Sequence, residues 1–401
     1  MKRDFLLFEE QEQWKFNLPL TYFKPISNII SGILTIQQKW ERIFNNPAGM
    51  ITRGYLMEKY GRRKTASLFI PDHILPDPAL ARTLENLPPQ TRLVDPQNRL
   101  LGFRLEKGQM FAGLDELYGV LDGIQDRIIY TAPYKSVRRP YDLVFLNQGE
   151  IIADLGLLQA QSTPCPKGAK CFGSYQVFYR GRQRIHHAIF ELTEGPVFLD
   201  DDVKILPGSF VKGPAAILNG SMVKAGTRIY NGTTLGPWTK VGGEIKNVLF
   251  QGYANKGHDG FLGDSVVGNW CNFGAGSSNS NLKNNYSEIK MWNIGSGGPE
   301  NTGRMFLGMI MGDHSKCAIN TSFNTGTVVG VCANIFTRDF PPKFVSSFNW
   351  GGAGFNHDYD LNQALQTARI VYGRRNLDFT EVDEKIFLKV YDMVKKIEIN
   401  P

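Results

Sequence analysis

No stretch of the chain approaches the ~18 consecutive apolar residues that a membrane-crossing helix needs, so no helical span is expected. Cysteine is scarce: five in 401 residues, an odd number that argues against a disulfide-stapled scaffold. There are only six histidines and no dense basic run. Lys and Arg number 45 against 38 Asp and Glu, and the net charge of +7 admits an anionic ligand without describing a nucleic-acid surface. Met1-Lys2-Arg3-Asp4 leads into just four apolar residues, Phe5 to Phe8, before two glutamates. That pattern predicts a strand, too short for a signal-peptide core, and a cytoplasmic protein. A hydrophobic content of 42% excludes wholesale disorder.

Glycine is what the chain has in excess: 42 residues, about a tenth, against the usual ~7%. A repeat supplies the reason. Stepping by six from Leu199 gives Ile205, Val211, Ile217, Val223, Ile229, Leu235 and Val241, all branched aliphatics. Small residues hold a second phase (Ser209, Ala215, Ser221, Thr227, Thr233, Thr239), and Gly208, Gly220, Gly226 and Gly232 a third. A second run, Met305, Met311, Cys317, Phe323, Val329 and Ile335, keeps the period but not the phase. Six residues are too few for a hairpin. They suit one flat side of a coil with one inward aliphatic, and three sides stack by parallel pairing into a prism whose corners need glycine.

The motifs inside the repeat carry a family likeness. Glu244-Ile245-Lys246-Asn247, Gly257-His258 before Phe261-Leu262-Gly263-Asp264, Asn272-Phe273-Gly274-Ala275-Gly276 and Asn281-Leu282-Lys283 occur in order. The segment resembles the left-handed β-helix of hexapeptide-repeat acyltransferases. It is most similar to the C-terminal domain of bifunctional sugar-1-phosphate nucleotidyltransferase/acetyltransferases (the GlmU-like family). The resemblance implies an acetyl-CoA-dependent acyltransferase acting on a sugar phosphate or nucleotide sugar, assembled as a homotrimer with sites between adjacent β-helices, and needing neither nucleic acid nor membrane.

Acyl transfer needs a base for the acceptor's proton and donors for the developing oxyanion. His258 is the candidate base, and the backbone N–H of Ala275, between two glycines, the candidate oxyanion donor. Asn281 is a candidate partner of the acceptor near its reacting atom. Glu244, Lys246, Asn272 and Lys290 are candidate acceptor-binding residues, and Arg374 and Arg375 candidates for the phosphates of coenzyme A. Phe261 stands where the family has Tyr, and Ser287 where it has a lysine. The polar stretch 281–304 breaks the repeat and is expected to cover a neighbouring subunit's site. His186, His187 and His314 lack partners at metal-ligand spacing, and Cys165-x5-Cys171 is not a metal knuckle.

Residues 1–160 read as a mixed α/β domain. Strands are expected at Phe5–Phe8, Ser67–Ile70 and Arg127–Tyr130, and helices at Leu34–Phe44, Pro78–Leu87, Leu114–Leu121 and Tyr141–Leu158. Leu18-Pro19-Leu20-Thr21 and Pro140-Tyr141-Asp142-Leu143 resemble parts of nucleotidyltransferase-like domains that accompany these β-helices. The glycine-rich phosphate loop is missing: Phe8 is followed by Glu9-Glu10-Gln11-Glu12, whose carboxylates repel phosphate. Gly61-Arg62-Arg63-Lys64-Thr65 is basic without P-loop spacing. Asp72 is the candidate for a metal-binding carboxylate, and Mg2+ enters only if this domain is active. The expected organisation is a truncated nucleotidyltransferase-like α/β domain (1–160), a linker (161–190), the β-helix (191–345) and a C-terminal helical cap (346–401), with helical faces at Leu361–Ala368 and Val382–Met393.

Overall fold

Alternate side chains of the strand Phe5–Phe8 enter two different cores in the computed structural model, which describes residues 4–352 and 355–398. Phe5 and Leu7 join the core under the helices Ile36–Ile43 and Pro78–Glu85, whereas Leu6 and Phe8 join the core under Leu114–Gly123. A strand buried on both faces belongs inside a sheet covered by helices on both sides. It pairs in parallel with Gly49–Ile51 and Ala66–Pro71 in a six-stranded sheet, completed by Leu100–Gln109, Thr91–Val94 and Asp126–Ile129. The expected helix at Leu34 starts instead at Ile36, because Thr35 caps it. Its side chain accepts from the Gln38 N–H while the Gln38 side chain returns to the Thr35 N–H. The expected helix Tyr141–Leu158 spans Asp142–Leu155.

The repeat builds a parallel β-solenoid of three-sided turns. Val197–Leu199, Ala215–Ile217 and Thr233–Leu235 stack on one side; Val203–Ile205, Met222–Val223 and Lys240–Val241 on the next; Phe210–Lys212 and Arg228–Ile229 on the third. All eight aliphatics from Leu199 to Val241 are fully buried in one core. The second run differs at its start: Met305 is 45% exposed, and the inward pattern resumes at Met309 and Met311. The stretch 161–190, expected as a linker, is already solenoid. Val177–Tyr179, Gln183–Ile185 and Ala188–Leu192 pair in parallel with the first regular turns. Its inward residues Tyr179, Ile185 and Phe190 keep the six-residue spacing for one step only, which hid them. Cys165 and Cys171 are joined by a disulfide that closes the loop before these strands.

Each corner of the prism has its own furnishing. At one, Trp238, Tyr253, Trp270, His314, Cys332 and Phe348 all have positive φ, and successive turns interlock through bonds such as Trp270 N–H to Gly252 O and His314 N–H to Asn269 O. Non-glycine residues there are strained, and stacking offsets the cost. Tyr253 and Trp270 lie 4.3 Å apart face to face, and Tyr372 stacks on Trp270 at 4.2 Å. A second corner carries Asn247 and Asp264, also at positive φ. The third carries Gly208, Gly226, Gly243, Gly260 and Gly276, with φ from +69° to +117°.

The first domain grips four successive turns. Asn147 donates to Gly232 O and Thr234 Oγ1; Gln251 exchanges bonds with the Ile30 backbone at 2.8 and 3.1 Å; Lys24 reaches Asn269 and pairs with Asp313 at 2.8 Å. The excursion after Asn281 folds as a hairpin, Lys290–Asn293 with Gly298–Asn301. Instead of reaching outward it packs on its own chain: Glu300 pairs with Arg139, and the Asn293 amide donates to Phe16 O. The C-terminal helices Leu361–Gly373 and Glu381–Ile397 lie along the aromatic corner, where Phe387 meets both His314 and Phe23. Their C-terminal end also reaches the last turn beside its strand edge, where Glu398 accepts from the Ser347 N–H at 2.7 Å and Tyr391 meets the Phe348 ring. The antiparallel hairpin Asn349–Gly352 with Phe355–Asp358 covers that strand edge.

Candidate functional site

The glycine corner opens into a groove of about 610 Å³. Gly242, Gly243, Gly257 and Gly276 floor it, and Leu206, Met222 and Lys224 form one wall. Two positions of the corner have no room for a side chain: a Cβ on Gly243 would sit 2.6 Å from Gly260 O, and one on Gly260 2.2 Å from Ser277 O. Bare backbone therefore meets whatever enters. His258 and Ala275 line this same groove, one turn apart. His258 is exposed at the tip of the corner. Gly274 N–H bonds to Cys317 O and Gly276 N–H to Asp259 O, but the Ala275 N–H between them has no acceptor among the described residues. The arrangement presents an imidazole and a free backbone donor to one small volume, the requirement for acyl transfer stated from the sequence.

The other predicted residues divide. Asn281 is not free: its amide donates to Asp264 Oδ2 at 2.5 Å, while Asn247 holds Oδ1 at 2.7 Å. It continues the second corner's polar column, and within one chain it lies outside the groove. Glu244 pairs with Arg228 at 3.2 Å on the outward face, in register with Phe261. The Lys246 ammonium lies 5.9 Å from the Phe306 ring centre, and Lys246 is exposed. The Phe261 ring lies against Gly263, where a Cβ would be 2.4 Å from its Cζ. Ser287 accepts from Lys283. Lys290 sits on the excursion hairpin, away from the groove of its own chain.

Asn272 joins Arg374 and Arg375 instead. With Lys240, Tyr253, Asn255 and Lys316 they line a separate pocket of about 290 Å³ on the solenoid side. Arg374 caps the helix Leu361–Gly373, and Arg375 donates to Asn255 Oδ1 at 3.2 Å. Burial, then the charges of Arg375, Lys224, Arg374 and Lys204, push the Lys240 ammonium below its ordinary pKa. That is the mark of cations converging without enough counter-charge. Lys224 belongs to the groove, and its charge is felt at Lys240. Its ammonium lies 3.1 Å from where a Gly257 Cβ would be.

Sequence reasoning passed over one residue beneath the groove. Lys256 occupies an inward position, is 1% exposed, and donates from its ammonium to His258 O at 2.8 Å and Asp259 O at 3.2 Å. The signal was present as a lysine next to the histidine, but nothing local says that it points inward.

In the first domain a cleft of about 960 Å³ is lined by Arg92, Arg99, Arg127 and Arg138 together with Glu10, Glu12 and His73. Asp72 is fully buried beside it and does not line it. Burial, then the charge of Glu9, holds its carboxyl well above the carboxylate range. One of its oxygens has no partner, and the other takes the Ser27 N–H at 3.4 Å. A neutral, enclosed carboxyl is a poor ligand, so Mg2+ at Asp72 does not fit these residues. Burial also lifts Glu9 to about 7, against the pull of Arg53. The basic Gly61–Thr65 segment is spent on structure: Lys64 pairs with Asp4 and donates to Pro47 O. His314 is buried in the aromatic corner and held neutral by burial. No group of three or more His, Cys, Asp or Glu suited to a metal occurs among the described residues. No described helix is long and apolar enough to cross a membrane.

Residues 5–163 match the family described as sugar nucleotidyl transferase. Two curated relatives are similar to part of the chain. The bifunctional sugar-1-phosphate nucleotidylyltransferase/acetyltransferase of Sulfurisphaera tokodaii is 31% identical over 145 residues, 36% of this chain and 36% of the relative. The bifunctional protein GlmU of Methanocaldococcus jannaschii is 36% identical over 87 residues, 22% of this chain and 21% of the relative. The matches thus span about a third or less of those proteins' length. Among solved structures, the polySia specific acetyltransferase NeuO aligns at a TM-score of 0.31 and 12% identity, over 48% of this chain and 87% of that one.

Proposed function

We propose that the solenoid is an acyltransferase that moves an acyl group, acetyl in the simplest case, from a coenzyme A thioester to an amine or hydroxyl of a sugar phosphate or nucleotide sugar. One observation carries this reading: His258 and the unengaged Ala275 N–H share a groove floored by bare glycine backbone, next to a cationic pocket. His258 takes the proton as the acceptor's nitrogen or oxygen attacks the thioester carbonyl. The Ala275 N–H donates to the oxyanion. The C–S bond then breaks, and the proton passes from His258 to the departing thiolate. Arg374, Arg375, Lys240 and Lys224 suit the donor's phosphates. Lys246 and Glu244, on the neighbouring outward face, suit an acceptor presented between chains of a homotrimer, in which Asn272, Asn281 and Lys290 would act from their observed positions. Free thiol release from acetyl-CoA, measured with a panel of amino-sugar phosphates, tests this. Release that requires both an acceptor and His258 supports it; release unchanged in His258→Ala rejects it.

A second reading is nucleotidyl transfer in the first domain, for which the arginine-lined cleft is the observation. Buried, neutral Asp72 and the lack of a glycine-rich loop weigh against turnover there. They favour a domain that holds a sugar nucleotide without reacting it. Pyrophosphate release from a nucleoside triphosphate and a sugar 1-phosphate would reverse that weighting.

A further inference from the structure

One column of the solenoid interior contains a charge. Ile205, Val223 and Val241 are in register and fully buried, and the next residue in register is Lys256. The column then returns to apolar residues at Phe273, Cys317 and Ile335. Lys256 has no ion-pair partner among the described residues; its acceptors are the two carbonyls of the corner above it. An unpaired ammonium in an apolar interior costs several kcal/mol against an aliphatic residue. The expense falls on the turn that carries His258.

The corner's other bonds explain what the ammonium adds. Gly242 N–H bonds to Lys256 O, Glu244 N–H to Gly260 O, and Gly276 N–H to Asp259 O. The His258 carbonyl receives no other donor among the described residues. Between two glycines that impose no conformation of their own, the His258 peptide plane is fixed from below by Lys256. We infer that Lys256 is the positioning residue of the groove: its ammonium clamps the His258 and Asp259 carbonyls from inside the solenoid and so sets the direction in which the imidazole leaves the corner. The inference rests on the acyltransferase reading for its kinetic consequence but not for its structural one. Burial lowers the Lys256 ammonium to about 8, but two charge-assisted bonds to carbonyls still favour the charged form at neutral pH.

The test is Lys256→Met, which fills the same volume with a residue the inner columns already use, as at Met309 and Met311. Three quantities are measured: the thermal midpoint, hydrogen–deuterium exchange of the segment 257–262, and kcat and KM for acyl transfer. The expected result is a midpoint equal to or above wild type and exchange faster by about tenfold in that segment alone. The accompanying kinetic change is a kcat lower by about 10–100-fold with KM for acetyl-CoA within threefold, the cost of a misaimed base. Wild-type exchange and wild-type kcat in the variant overturn the inference, as does a general loosening of the solenoid, which marks Lys256 as merely structural. If the Met variant does not fold, Lys256→Gln, which removes the charge and keeps a shorter amide N–H donor, carries the same measurements. A wild-type protein inactive with every acceptor sinks the acyltransferase reading, while the exchange result still decides the clamp.

Discussion

Two corners of the solenoid share a backbone conformation and differ in what they carry. Both turn with positive φ at turn after turn. At the glycine corner the conformation is cheap, the surface is bare and a groove results. At the aromatic corner it is strained in each of Trp238, Tyr253, Trp270 and His314, and the rings projected there become the seat for the C-terminal helices. One backbone solution thus yields a place for a ligand and a place for the rest of the chain. The contrast extends to the two histidines: His258 stands exposed at the first corner, and His314 is buried and neutral at the second.

The comparison can be broken most sharply at His258. His258→Ala should lower acyl transfer by about 10²–10⁴-fold, the usual worth of a general base, with an unchanged thermal midpoint. A matched removal at the other corner, Trp270→Ala, should cost about 3–5 kcal/mol in denaturant unfolding and leave the groove intact. Gly260→Ala would set a Cβ 2.2 Å from Ser277 O at φ +117°. It should lose about 1–3 kcal/mol and activity together, whereas an aromatic corner that tolerates side chains at positive φ should accept Tyr253→Asn with little backbone penalty. Arg374→Gln with Arg375→Gln should raise KM for acetyl-CoA about tenfold and flatten its salt dependence, kcat being little changed. The smallest effect concerns His314. Its folded pKa lies below that of the unfolded imidazole, so the unfolded chain binds the extra proton and stability falls as pH drops below ~6.5. The stability gap between wild type and His314→Asn should therefore shrink from pH 7 to pH 5. A gap that stays constant would show that His314 is not held neutral.

The solenoid was legible because its rule is local: an inward aliphatic at every sixth residue needs no knowledge of any other turn. His258 and Ala275 were singled out by the motifs of the resemblance rather than by the repeat, and both line one groove. Legibility failed wherever contact distance exceeded pattern length. Lys256 breaks the aliphatic column, and a lysine in isolation reads as solvated. Asn281 carries an amide suited to a ligand, but Asp264, 17 residues earlier, already holds it. The excursion hairpin docks on Phe16 and Arg139, some 160 to 277 residues away in the chain. The aromatic column escaped notice because Trp238, Tyr253, Trp270 and His314 are unevenly spaced, the turns between them having lost residues or gained the excursion.

The grip of the first domain on Thr234, Gln251, Asn269 and Asp313 has a consequence for how such a chain can change length. A free-standing solenoid lengthens or shortens by whole turns anywhere, since each turn meets only its neighbours. Here four successive turns are pinned by three points of a rigid sheet domain, Gly32–Asn147, Ile30 and Lys24. Deleting or duplicating one of those turns would move the later attachment points by a strand spacing of about 4.8 Å and unseat the domain. The segment bearing the groove is held at a fixed count, and Glu398, which accepts from both Tyr22 and Ser347, ties the last turn to the same domain, so that growth is left to the turns before Thr234.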